Sequence, residues 1–252
     1  MEEKDHLQSF NDESFVLKNL RSIPFYKFKH VGGFFRCLRI EILVKSIFFS
    51  KSWKDSSGKS ELPPDFHNDK HHTVMEIMRL DDGAGGKHSP NSFERTEKYL
   101  QKNLGHNYKT NLKDCSLYFV PNTRNDKEYN FKAYLKNFDR VLTNHSNKVN
   151  SYHENYPKCK TCVFLVCDES NAYYQALDNS EKKKLHLCFA DKQFVEIIKK
   201  SKADYVIWFT RFKTVLKDNG KEIKQPLVCV YDVKHIKYSG FEYNHDKMVK
   251  IK

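Results

Sequence analysis

The chain has 252 residues and a mass of 29.9 kDa, enough for one large domain or two small ones with a buried core. Charged residues make up 30% of it, yet 19 Phe and 14 Tyr are too many aromatics for a disordered chain. No stretch approaches the roughly eighteen apolar residues of a membrane span, and the acidic start Met1–Asp5 leads into no secretory apolar run. A soluble cytoplasmic protein is expected.

In chain order, Phe25–Phe49 is dense in aromatic and aliphatic residues. Its first part, with Gly32 and Gly33 at a turn, suits a β-hairpin, while RIEILVKSIFF suits a helix equally well. Residues 51–69 turn polar and contain Pro63-Pro64, so they read as a linker between an N-terminal subdomain (1–70) and a principal α/β domain (71–252). HHTVMEIMRL is expected to be a short helix, followed by a Gly-rich break at 81–92. Ser92–Leu104 reads as a helix and SLYFVP as a strand.

The strongest helical pattern runs from about Glu128 to Asn155. Phe131, Tyr134, Leu135, Phe138, Leu142, Val149 and Tyr152 form an apolar stripe at three- and four-residue steps. TCVFLVCDES follows as a strand apolar on both faces, the mark of a sheet's centre. AYYQAL and KLHLCFA suit shorter strands, DKQFVEIIKKSK a helix, ADYVIWF a strand, DNG at 218–220 a turn, and PLVCVYDVKHIKY a last strand. The alternation predicts an α/β fold with a mixed sheet flanked by helices.

Seven cysteines, several inside apolar strands, speak against a disulfide framework. Cys159 and Cys162 form a single C-x-x-C, which supplies half of a tetrahedral zinc site. The formal net charge of +12 favours a polyanionic partner, nucleic acid above all. Scattered lysines would also give a soluble surface with no specific site, so charge leaves both readings open.

Chemistry concentrates near the C-terminus. Asp204 opens ADYVIWF, and Asp232 and Lys234 lie two apart in LVCVYDVKH, which on a strand places them on one face. Two carboxylates on adjacent strands would hold Mg²⁺ or Mn²⁺, with the ammonium beside the attacking water. Asp204, then Asp232-Val233-Lys234, preceded by the helical Glu196, resembles the PD-(D/E)xK pattern of restriction-endonuclease-like nucleases. The resemblance spans about a sixth of the chain. It implies that Asp204 and Asp232 hold the metal, Lys234 serves the water and Glu196 is an auxiliary acid. Ala203 stands where proline is common, and fewer than twenty residues follow Lys234.

Asp168 and Glu169, at the end of a central strand, are reserve carboxylates, with Asp168 an alternative metal ligand. Glu76 is a third reserve; helical spacing would stack it on His72, and His67 on His71. Gly86-Lys87 raises a phosphate-binding loop, but Asp81 occupies its first glycine position and His88 its hydroxyl position. The expected function is therefore metal-dependent hydrolysis of DNA or RNA. The alternative is a non-catalytic protein that binds nucleic acid or another protein.

Overall fold

The computed structural model describes residues 13–23, 28–30, 38–57, 62–80, 131–168, 174–210, 215–218, 221–224, 228–237 and 239–250. Strands β1 (Phe28–His30), β2 (Lys54–Asp55), β3 (Phe66–Asn68), β4 (Thr73–Leu80), β5 (Thr161–Asp168), β8 (Tyr205–Phe209) and β11 (Val228–Asp232) form one mixed sheet in the order β1-β11-β8-β5-β4-β3-β2. Strands β4, β5 and β8 are parallel, and β11 and β3 run antiparallel to their neighbours β8 and β4. Parallel neighbours need a crossover of a dozen or more residues. Helices α3 (Phe131–Ser146) and α4 (Val149–Asn155) lie in the connection from β4 to β5, and α5 (Lys192–Lys199) lies in that from β5 to β8.

Helices cover both faces, which explains why the central strands are apolar throughout. Phe164 and Val166 of β5 and Trp208 of β8 pack against Tyr134, Phe138 and Leu142 of α3 and Phe194 of α5. The alternate residues Val163, Leu165, Ile207 and Phe209 pack against Leu20 of α1 (Glu13–Arg21) and Leu43 and Ile47 of α2 (Leu38–Phe49). A mixed α/β sheet between helices is the expected fold class.

Several local expectations change. HHTVMEIMRL is strand β4, not a helix: it pairs with β5 over eight residues and is buried on both faces. Within 51–69, strands β2 and β3 join the main sheet, as does β1 further upstream. RIEILVKSIFF falls in helix α2. The long helix breaks at Asn147-Lys148, but its stripe is buried as expected apart from Leu135, which is partly buried. KLHLCFA is only partly a strand, β7 (Lys183–Leu185), followed by a 3-10 turn at Cys188–Ala190. Gly32, Gly33, Gly220 and all of 81–130, including the Gly86-Lys87 loop, Ser92–Leu104 and SLYFVP, lie outside the described residues.

Strands β6 (Tyr174–Asp178), β7 and β12 (Tyr243–Lys250) form a second sheet in the order β12-β6-β7, and β9 (Val215–Asp218) with β10 (Lys221–Lys224) is a hairpin. Among the described residues no helix is long and apolar enough to cross a membrane.

Candidate functional site

Two groups of ionisable side chains are built at opposite ends of α3. The first lies toward the edge of the sheet where β4, β5 and β8 begin. Phe66 of β3 pairs with Met75 of β4, so the next pair outward is Asp65 and Glu76. The Asp65 backbone N–H donates to Glu76 Oε2 at 3.3 Å, and the Ile77 N–H donates to Asp65 Oδ2 at 2.7 Å. Burial pushes the Asp65 carboxyl up to about 7, and the Glu76 charge adds to the effect, with smaller contributions from Glu13 and Asp55. Glu76 is itself buried, and its Oε1 lies 2.8 Å from His145 Nδ1 on α3. Tyr152 of α4 stands 3.4 Å from that same nitrogen; burial, then the nearby Glu76 carboxylate, keeps its phenol protonated.

Asp204, Asp232 and Lys234 gather at the same edge, reached in a way that strand alternation does not describe. Strand β11 ends at Asp232, and Val233–His235 is a 3-10 turn. The turn brings Lys234 Nζ to 2.6 Å from Asp204 Oδ1, while Asp204 Oδ2 accepts from the Cys162 N–H at 2.9 Å. Asp232 Oδ1 lies 2.8 Å from His235 Nδ1. Each of these acids thus already faces a basic side chain. Glu196 points from α5 to Lys199 at 2.9 Å, half exposed.

The reserve residues are dispersed. Asp168 ends β5, so the rise from Cys162 carries it about 20 Å from the Asp204 contact. One ion cannot join Asp168 to Asp204. Asp168 is buried and accepts from Tyr134 Oη at 3.0 Å and Trp208 Nε1 at 3.3 Å. Glu169 lies outside the described residues.

The histidine pairs of the expected helix are not stacked on one another, because the segment is a turn and a strand. His67 stacks on Tyr156 at 4.2 Å and His72 reaches the Lys158 carbonyl at 3.0 Å. Cys159 and Cys162 are buried, and burial pushes both thiols up, away from the thiolate a metal requires.

The second group lies where α3 begins. Among the described residues, His186, Asp191 and His245 are a set of three metal-capable side chains whose ligand atoms all lie within 4.8 Å of one another. His186 Nε2 and His245 Nε2 meet the same atom, Asp191 Oδ2, at 2.5 and 2.8 Å. Asp191 also caps α5, its Oδ1 accepting from the Gln193 N–H at 2.7 Å. Burial alone would raise its pKa, but the two histidines together hold it down at about 2. The rings are packed: Phe131 stacks on His245 at 5.2 Å and meets His186 edge-on at 4.9 Å. This group can hold a metal ion.

Sequence reasoning singles out Glu76 but misses Asp65 and all three members of the second group. Asp65 follows Pro63-Pro64 in a stretch whose composition hides two strands. His186 sits inside an apolar run, and Asp191, the first residue of DKQFVE, is a recognisable cap, but nothing local links either to His245. No protein-family model, curated protein or solved structure matches this chain.

Proposed function

We propose that the protein is a divalent-cation-dependent hydrolase of nucleic-acid phosphodiester bonds, with Asp65 and Glu76 as the carboxylates that receive the ion. The observation that carries this reading is the Asp65 N–H bond to Glu76 Oε2 at 3.3 Å, with the Asp65 carboxyl pushed up to about 7 by burial and by the Glu76 charge. Like charges held together in partial burial are relieved by a hard cation, and an all-oxygen donor pair suits Mg²⁺ or Mn²⁺. Such an ion supplies Lewis acidity toward a phosphoryl oxygen and lowers the pKa of bound water.

The chain's own residues orient the pair. Ile77 and Asp65 N–H groups fix the two carboxylates, and His145, 2.8 Å from Glu76, is placed to hold or pass a proton at Nδ1. The net charge of +12 attracts the polyanionic substrate. In this reading Asp204, beside β8, lies two strand spacings (about 10 Å) from the Glu76 strand and Asp232, on β11, three; with Lys234 they line the approach rather than hold the ion.

The pairing of Asp204 with Lys234 and of Asp232 with His235 favours a second reading, a protein that binds nucleic acid without cutting it. Plasmid DNA and RNA incubated with the full chain in Mg²⁺, Mn²⁺ or EDTA separate the two. Ion-dependent cleavage is expected, lost in Asp65→Asn and Glu76→Gln and retained in Asp232→Asn and Lys234→Met. The reverse pattern would move the ion to Asp204 and Asp232. Salt-sensitive retention of nucleic acid with no cleavage would leave the binding reading.

A further inference from the structure

The cluster of His186, Asp191 and His245 is independent of the acid pair. Phe131, against both imidazoles, and His145, against Glu76, are separated along α3 by about 21 Å. We infer that His186 Nε2, Asp191 Oδ2 and His245 Nε2 bind one first-row transition-metal ion of the Zn²⁺ class, which fastens strand β12 to the start of α5.

The donor set selects the ion. Two imidazoles and one carboxylate suit Zn²⁺, Fe²⁺ or Co²⁺, whereas Mg²⁺ takes oxygen. The spacing is that of a closed, ion-free arrangement. Ligand atoms around tetrahedral Zn²⁺ stand about 3.4 Å apart, so the rings retreat from Asp191 Oδ2 by less than about 1 Å. The protons now shared with that oxygen then reside on Nδ1 of each neutral imidazole. An acceptor stands ready for both: Cys188 Sγ lies 3.7 Å from His186 Nδ1. The Gln193 amide lies 3.0 Å from His245 Nδ1, and a half-turn presents its oxygen there. Asp191 Oδ1 is already held by the Gln193 N–H. Every ligand is thus oriented from behind, with one atom of each aimed inward.

The backbone is also shaped to deliver His245. Between Asn244 and Val249 strand β12 advances five residues while β6 moves from Leu177 only to Gln175, so His245 falls in a bulge that turns its ring off the ladder. Upstream, Gly240 has φ +86°, and a Cβ there would collide with the Lys192 backbone. That close approach lets the Lys192 N–H donate to the Phe241 carbonyl at 2.9 Å and the Phe241 N–H to the Ala190 carbonyl at 2.6 Å. The C-terminal segment is laced on either side of Asp191. The side chains of His186 and Asp191 are fully buried and that of His245 is 16% exposed, so an ion and its fourth ligand enter past His245.

The test uses the full chain, stripped with a chelator and titrated with Co²⁺ and then Zn²⁺. Visible absorption, calorimetry and thermal melting are the readouts. One equivalent of Co²⁺ giving a tetrahedral d–d band, displaced by Zn²⁺ and accompanied by a higher melting temperature, is expected. His245→Gln should weaken binding by more than about 100-fold, and Gln193→Ala, which keeps all three ligands, by about 10- to 100-fold. Glu76→Gln should leave this binding unchanged, so the outcome is separable from that of the hydrolase reading. Absence of tight Co²⁺ binding in the wild type, or binding unaffected by both His245→Gln and Gln193→Ala, would overturn the inference. Should His245→Gln fail to fold, Gln193→Ala alone decides.

Discussion

The two ends of α3 treat buried charge in opposite ways. At the end near Glu76, two carboxylates meet across a strand pair, and one is driven toward its neutral form. At the Phe131 end, one carboxylate meets two imidazoles and is held ionised. Both clusters contain histidine and acid in close contact, yet the first sets two carboxylates beside one imidazole and the second sets one carboxylate between two. The first arrangement is relieved by a proton on Asp65 or, in the proposed reading, by a cation. The second is complete as a hydrogen-bonded network, and it is the orientation of its outer atoms and its bulge that point to an ion. A cluster of titratable residues is thus informative through its balance rather than its count.

The contrast can be broken most forcefully at Asp191. Asp191→Ala should cost about 3–5 kcal/mol in denaturant unfolding, since it leaves the buried His186 and the partly buried His245 without their acceptor and uncaps α5. Asp191→Asn, which keeps the cap, should cost less. At the other end the sign reverses. The folded Asp65 pKa of about 7 lies above its ordinary value of 3.8, so the unfolded chain loses that proton first. Its contribution is fully present below about pH 4 and is lost as pH rises toward 7. Asp65→Asn should therefore stabilise the ion-free protein at pH 8 by on the order of 2 kcal/mol, with the gain vanishing near pH 4. Urea unfolding across that range checks it, and Mg²⁺ should narrow the gap by stabilising the wild type.

Asp168, buried at the far end of β5, offers an intermediate case. Trp208→Phe removes one donor to its Oδ2 and should cost about 1–3 kcal/mol in the same assay. The smallest effect is expected at Lys234. Its side chain is 72% exposed, so Lys234→Met should change stability by less than about 1 kcal/mol despite the 2.6 Å contact with Asp204.

Much of the fold was legible because its signals are local. The apolar stripe from Phe131 to Tyr152 and the two-faced run of β5 are set by helix and strand periodicity, and both are buried as expected. Strand β4 escapes a strand pattern because TVMEIMRL, buried on both faces, has no alternation, and the flanking histidines fall at i, i+4 spacings that suit a helix. Strands β2 and β3 are two and three residues long, too short to outweigh the polar residues around them. For the candidate sites, Glu76 was singled out from the sequence, but its partner Asp65 becomes visible only once β3 and β4 are paired. Asp204 and Lys234 do meet, though through a 3-10 turn that a strand pattern does not contain. His186 and His245 are 59 positions apart and converge only because β12 returns to α5.

That return has a bearing on how the molecule is assembled. The Asp191 carboxylate is fully enclosed, and one of its two imidazole partners comes from a strand that is synthesised more than fifty residues later. Until β12 docks, a committed anion is left short of a neighbour and α5 starts from a loosened cap. Strand β12 and the start of α5 are therefore expected to gain their order together, and cutting the chain near Gly240 should unsettle the helix layer well beyond the severed piece.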